Sequence, residues 1–138
     1  AEESHFQSKF RRFIANNFNI ILVNVNKDLK LSLQKSANAL KSGKNIVIFP
    51  EGARTRDGNL LPFKKGFAIL SKELNVPIVP VVIDGAFKSY PINAKIPKPY
   101  PIKLTFLKPV LPENKSYEEI TQQVKTQIEK TLKAFKDN

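Results

Sequence analysis

Phe6, Phe10, Phe13, Ile14 and Phe18 recur every three or four positions, and this period predicts a short amphipathic helix over 4–16 with Lys9, Arg11 and Arg12 interspersed. The apolar run 20–25 that follows reads as a buried strand. Asp28 is placed to cap a helix carrying Leu29, Leu33, Ala37 and Leu40 on one stripe, with Gly43 as its stop. A second buried strand is expected over 45–49. Strand, helix and strand in that order form a βαβ unit, which implies parallel pairing and a sheet covered on both faces.

A polar loop over 50–62 separates this unit from a second helix at 66–74, a third strand at 77–83 and a fourth at 102–107. Pro80 lies inside the third strand and removes a ladder donor, so that strand is expected at an edge or bulged near Pro80. Four prolines between Pro91 and Pro101 predict ordered loop there. From Ser116 onward, Ile120, Val124, Ile128, Leu132 (or Thr131) and Phe135 mark a long amphipathic helix, and Ser116 with Glu119 has the spacing of a capping box. The expected fold is α/β, with a partly parallel central sheet of about four or more strands and helices on both faces.

At 138 residues the chain is expected to be one domain. It has no cysteine, which excludes disulfides, thiolate nucleophiles and zinc–thiolate sites and leaves a reducing compartment as the default. Its longest apolar runs, 20–23 and 78–83, fall far short of the roughly 20 residues of a spanning helix. No signal-peptide pattern opens it. The lack of methionine, and a start in mid-pattern at Ala1, lead us to expect a domain truncated at its N-terminus. A formal charge of +11 draws anionic partners: acidic lipid surfaces, phosphorylated substrates or nucleic acid. Isolated lysines such as Lys30, Lys35 and Lys125 are read as solvated surface. The basic, aromatic first helix would suit a membrane surface, but packing of its phenylalanines into a core is the simpler reading.

The candidate chemistry lies in Phe49-Pro50-Glu51-Gly52-Ala53-Arg54-Thr55-Arg56, directly after the second predicted strand. Loops at the carboxyl ends of parallel strands are where ligands bind in open α/β sheets. Gly52 permits positive φ and close backbone approach, and the Arg54 guanidinium suits a phosphate bidentately. Glu51 either holds Arg54 or accepts from a ligand hydroxyl. Lys64 and Lys65 precede the helix at Gly66, whose N-terminus also favours anions. These five residues outline a phosphate site; the alternative is a surface turn with an exposed Glu51–Arg54 ion pair.

The octapeptide, together with Val76-Pro77-Ile78-Val79-Pro80-Val81, resembles the third and fourth sequence blocks of the phospholipid-synthesis acyltransferases, which act on lysophosphatidic acid and glycerol 3-phosphate. The third block reads approximately F-P-E-G-T-R-S in that family, and here Ala53 replaces the threonine. Arg56-Asp57-Gly58 and Pro62-Phe63-Lys64-Lys65-Gly66 fit the family's intervening turn and F-K-K-G segment. The resemblance implies acyl-CoA or acyl-ACP as donor substrate with no resident cofactor, and a glycerol phosphate or lysophospholipid as acceptor. It also implies acceptor binding by Glu51, Gly52 and Arg54, and a peripheral position on the cytoplasmic side of an anionic membrane surface. The family's second block ends in aspartate-arginine; Asn26 and Lys27 stand there, so Lys27 keeps the charge of a phosphate contact and loses the bidentate fork.

The family's first block, H-x4-D, would supply a general base and the carboxylate that orients it. The single histidine here is His5, and five positions later stands Phe10, so the block is not in this sequence and the chain alone is expected to be inactive. His5 as a relocated base is the weaker alternative to an ordinary surface histidine. The competing function is a non-catalytic module that binds anionic lipid or phosphate. Nucleic-acid binding is not expected, because only charge supports it.

Overall fold

The computed structural model describes residues 29–136. The predicted helix over 4–16, the strand over 20–25, His5, Lys27 and the Asp28 cap lie outside them. The chain divides into one unit ending at Ile48 and another starting at Phe49.

In the first unit, helix α1 spans Leu29–Lys41, as the apolar stripe predicts, and Leu33, Ala37 and Leu40 on that stripe are half-buried. It closes at Gly43, where φ is +79°. There the Lys44 N–H donates to the Ala39 carbonyl at 3.1 Å and the Gly43 N–H to that of Leu40 at 3.0 Å, a Schellman closure for which glycine carries no Cβ penalty. The strand expected over 45–49 is corrected: these residues form no ladder, and Val47 is 83% exposed. An apolar run states a preference for burial, whereas a strand also needs a partner for its N–H and C=O groups, and the described residues present none there.

The second unit contains helix α2 (Gly66–Leu74), strand β1 (Val81–Asp84), the single-turn helix α3 (Ala86–Ser89), strand β2 (Lys103–Phe106) and helix α4 (Tyr117–Lys136). Strands β1 and β2 pair antiparallel, with Val81 opposite Phe106 and Asp84 opposite Lys103. Further out, Ile78 and Val110 exchange both backbone hydrogen bonds, at 3.0 and 2.8 Å. Three positions separate Ile78 from Val81, but four separate Phe106 from Val110, so the second strand carries one extra residue. This bulge sits opposite Pro80, which has no N–H to give and whose carbonyl accepts from Leu107 at 2.9 Å. The expected irregularity at Pro80 is therefore present, and the regular strand begins after it.

Helices α2 and α4 cover one face of this pair. Phe67 and Ala68 of α2, Val82 of β1, Val110, and Ile120, Val124 and Ile128 of α4 form the buried core, each large side chain contributing roughly 1.5–3 kcal/mol by leaving water. Phe63 meets the Phe67 ring edge-on at 6.4 Å. On the other face of the ladder Ile83, Leu104 and Phe106 are exposed among the described residues. The four-stranded, partly parallel sheet with helices on both faces is thus not what the described residues form; they carry a two-stranded antiparallel one. Strand order and direction arise from long-range pairing, which local apolar runs do not encode.

The helix ends follow local chemistry. The Ser116 N–H donates to Glu119 Oε2 at 2.6 Å and the Glu119 N–H to Ser116 Oγ at 3.2 Å, the reciprocal box predicted for α4. The Ser116 N–H holds the Glu119 carboxyl below its ordinary pKa. Helix α2 ends at Asn75, φ +49°, and the buried Ser71 hydroxyl donates to the Val76 carbonyl at 2.6 Å. The proline-rich stretch after α3 is loop, pinned by Lys98 N–H to the Ser89 carbonyl at 2.8 Å and Ser89 Oγ to the Lys98 carbonyl at 2.9 Å. No helix among the described residues is long and apolar enough to cross a membrane.

Candidate functional site

The loop 49–64 is tied at its base. Pro50 sets a tight turn that the Gly52 N–H closes on the Phe49 carbonyl at 3.1 Å, and the returning Lys64 N–H donates to the Pro50 carbonyl at 2.8 Å. One rung further in, Glu51 Oε2 accepts the Leu61 N–H at 2.7 Å. Glu51 therefore staples the two limbs of the loop together, and it makes no ion pair with Arg54. A charged acceptor on a half-buried amide is among the stronger single hydrogen bonds a loop can have.

Gly52 has φ +68°. A Cβ there would lie 2.8 Å from Lys64 Nζ and 3.0 Å from Lys64 Cε, so the lysine side chain runs along the bare backbone of the turn. The pair places an ammonium group directly over the glycine, and a side chain at position 52 would occupy the same space.

The loop tip is organised by its own polar groups. Asp57 Oδ1 accepts the Asn59 N–H at 3.0 Å and the Thr55 hydroxyl at 2.9 Å, and Asp57 Oδ2 accepts the Asn59 amide at 3.0 Å. The Gly58 N–H donates to Thr55 Oγ1 at 3.1 Å. These bonds favour the ionised carboxylate, with the Asn59 backbone N–H contributing most, and lower the Asp57 pKa to about 2.

Arg54 projects from the near limb, and its guanidinium lies over the Tyr90 ring, 5.0 Å from the centroid. Among the described residues Arg54 enters no ion pair. Gly58, φ +83°, faces Phe87, whose ring would lie 3.2 Å from a Cβ at that position. Phe87 and Tyr90, three residues apart at α3, thus brace the loop at two points.

The structure brings Lys64 to Gly52 and gives Glu51 a structural role. It sets Arg54 on an aromatic platform and directs Lys65 elsewhere. The Lys65 ammonium pairs with the Glu118 carboxylate at the start of α4, and this hydrogen bond lowers the Glu118 pKa. Both partners are more than half exposed, so solvent screens the pair and it adds little to stability. Lys27 lies outside the described residues. Phe87 and Tyr90 were not anticipated as part of the site; their spacing of three was legible, but their contact with Gly58 and Arg54 is long-range.

The acyltransferase family matches residues 1–84 of the chain. The 1-acyl-sn-glycerol-3-phosphate acyltransferase of Limnanthes douglasii is 37% identical over 81 residues, covering 59% of this chain and 29% of that protein. Its counterpart from Cocos nucifera is 35% identical over 94 residues, covering 67% of this chain and 30% of that one. The crystal structure of the 1-acyl-sn-glycerophosphate acyltransferase PlsC from Thermotoga maritima matches with a TM-score of 0.84 at 25% identity, covering 100% of this chain and 56% of that one. The chain thus spans about three tenths of the length of these two curated relatives.

Proposed function

The chain belongs to the acyltransferase family, and on that premise we propose that it supplies the acceptor-binding part of an enzyme of phospholipid synthesis. The enzyme moves a fatty acyl group from an acyl-CoA or acyl-ACP thioester to the free hydroxyl of a glycerol phosphate, most suitably 1-acylglycerol 3-phosphate. The acceptor oxygen attacks the thioester carbonyl, a general base takes its proton, and the thiol of the donor departs; no resident cofactor takes part. The observation that carries this reading is the loop 49–64, whose base is tied by Glu51 and Pro50 while Lys64 and Arg54 stay exposed and outside any ion pair among the described residues. Two cations on a fixed frame suit a phosphate monoester. Lys65 joins them only by leaving Glu118, and Lys27 is proposed as a further contact from charge alone.

The rest of the reading goes with this site. One acyltransferase domain comprises 1–138, a reading that the PlsC likeness over the whole chain supports. The charge of +11 favours a peripheral position on the anionic cytoplasmic face of a membrane. Residues 1–138 by themselves bind acceptor without transferring to it, since His5 has no carboxylate at the motif spacing.

Two measurements test the proposal. Calorimetric titration with a short-chain lysophosphatidate gives binding that Arg54→Ala weakens about tenfold or more, the worth of a lost charge-assisted hydrogen bond pair. Incubation with acyl-CoA and acceptor gives no thiol release; because the chain has no cysteine, a thiol reagent reports coenzyme A alone. Unchanged affinity in Arg54→Ala sinks the site assignment, and thiol release above background sinks the claim that the chain alone is inactive.

A further inference from the structure

The Arg54 guanidinium sits 5.0 Å over the Tyr90 ring, where a surface arginine would more often lie against a carboxylate. The carboxylates near it along the chain are engaged: Glu51 accepts the Leu61 N–H, and Asp57 accepts from Thr55 and Asn59. Asp84, next to α3, accepts the Gly85 N–H at 2.8 Å. An aromatic ring offers no pair of oxygens to the guanidinium's N–H fork, so the edge that grips a phosphate bidentately is left without a competing carboxylate. A carboxylate partner would take up that edge.

The backbone that carries the ring is held in place. The Tyr90 N–H donates to the Ala86 carbonyl at 2.9 Å, and the paired bonds between Ser89 and Lys98 fix the backbone beside it. One turn earlier the Phe87 ring rests on Gly58 at the loop tip. Phe87 of α3 and Tyr90, the residue that follows its end, thus meet one loop at Gly58 and at Arg54.

We propose that Tyr90 is a positioning residue for acceptor recognition: it orients Arg54 through its ring face and leaves the guanidinium edge to the phosphate. This rests on the phosphate-site reading of the loop. It predicts selectivity for phosphorylated over neutral acceptors at a residue that carries no charge.

The test is calorimetric titration of residues 1–138 with glycerol 3-phosphate at low ionic strength. Tyr90→Phe keeps the ring and is expected to bind within about twofold of wild type, while Tyr90→Leu is expected to bind about two- to fivefold more weakly, as for an exposed cation–π contact. Tyr90 is 41% exposed, so both variants should fold, and thermal unfolding monitors this. In an Arg54→Ala background Tyr90→Leu should have no further effect, because the two residues act in series. Wild-type affinity in Tyr90→Leu, or a further loss in the Arg54→Ala background, overturns the positioning role and leaves the site standing. Wild-type affinity in Arg54→Ala overturns the phosphate site and this inference with it.

Discussion

Gly52→Ala separates the folding role of the glycine turn from its role in binding. A non-glycine residue at φ +68° costs roughly 1–2 kcal/mol, and the lower entropy of the unfolded chain offsets roughly 0.4–1 kcal/mol. The net destabilisation is about 1 kcal/mol, or a fall of about 3–5 °C in Tm for a chain of this size. The steric conflict adds little, because the atoms 2.8 and 3.0 Å from the new methyl group are the far end of a flexible lysine. It is relieved when Lys64 swings away, and this carries its ammonium off the turn. If Lys64 contacts the acceptor phosphate from that position, affinity for glycerol 3-phosphate falls about tenfold or more, the worth of a charge-assisted hydrogen bond. Lys64→Met is the control: it removes the ammonium, leaves the glycine, and should lose the same affinity with no loss in Tm. Thermal unfolding and calorimetry on the three proteins decide the matter. Wild-type affinity in Lys64→Met would refute the reasoning, since the lysine would then be bystander to the site.

Two further outcomes follow from the same geometry. Gly85→Ala places a Cβ 2.1 Å from the Pro101 carbonyl oxygen at φ +85°, where a backbone atom cannot step aside as a lysine tip can. A loss of roughly 3 kcal/mol or more is expected, well beyond that of Gly52→Ala, and equal denaturation midpoints for the two variants would contradict it. Asp57 has a folded pKa of about 2 against an ordinary value of 3.8, so the bonds to its carboxylate stabilise the loop tip above about pH 4 and are lost as the pH falls through 2. The stability difference between wild type and Asp57→Asn should be level above pH 4 and shrink on acidification; a difference that widens below pH 4 would rule this out.

The features legible in the sequence are those with local causes. Gly43 stops α1 because the closure needs a left-handed residue there, and Ser116 with Glu119 starts α4 because two short side chains reach two backbone amides three residues away. The apolar stripe of α4 and the disturbance at Pro80 are legible for the same reason: helical period and a missing N–H are properties of adjacent residues. The run 45–49 misleads because apolarity favours burial without naming a partner.

By itself the sequence determined the family, through blocks whose residue types and order are specific, and it determined the positions of helices α1, α2 and α4 through period and capping. Tertiary structure decided what each site residue does. Glu51 became a staple on Leu61 and Lys65 a tie to Glu118; Lys64 lies along Gly52, and Arg54 rests on Tyr90. These four outcomes depend on which segments the β1–β2 pair, the loops and the helices bring together. Such contacts are selected by burial and geometry over the whole unit, and no local pattern of charge encodes them.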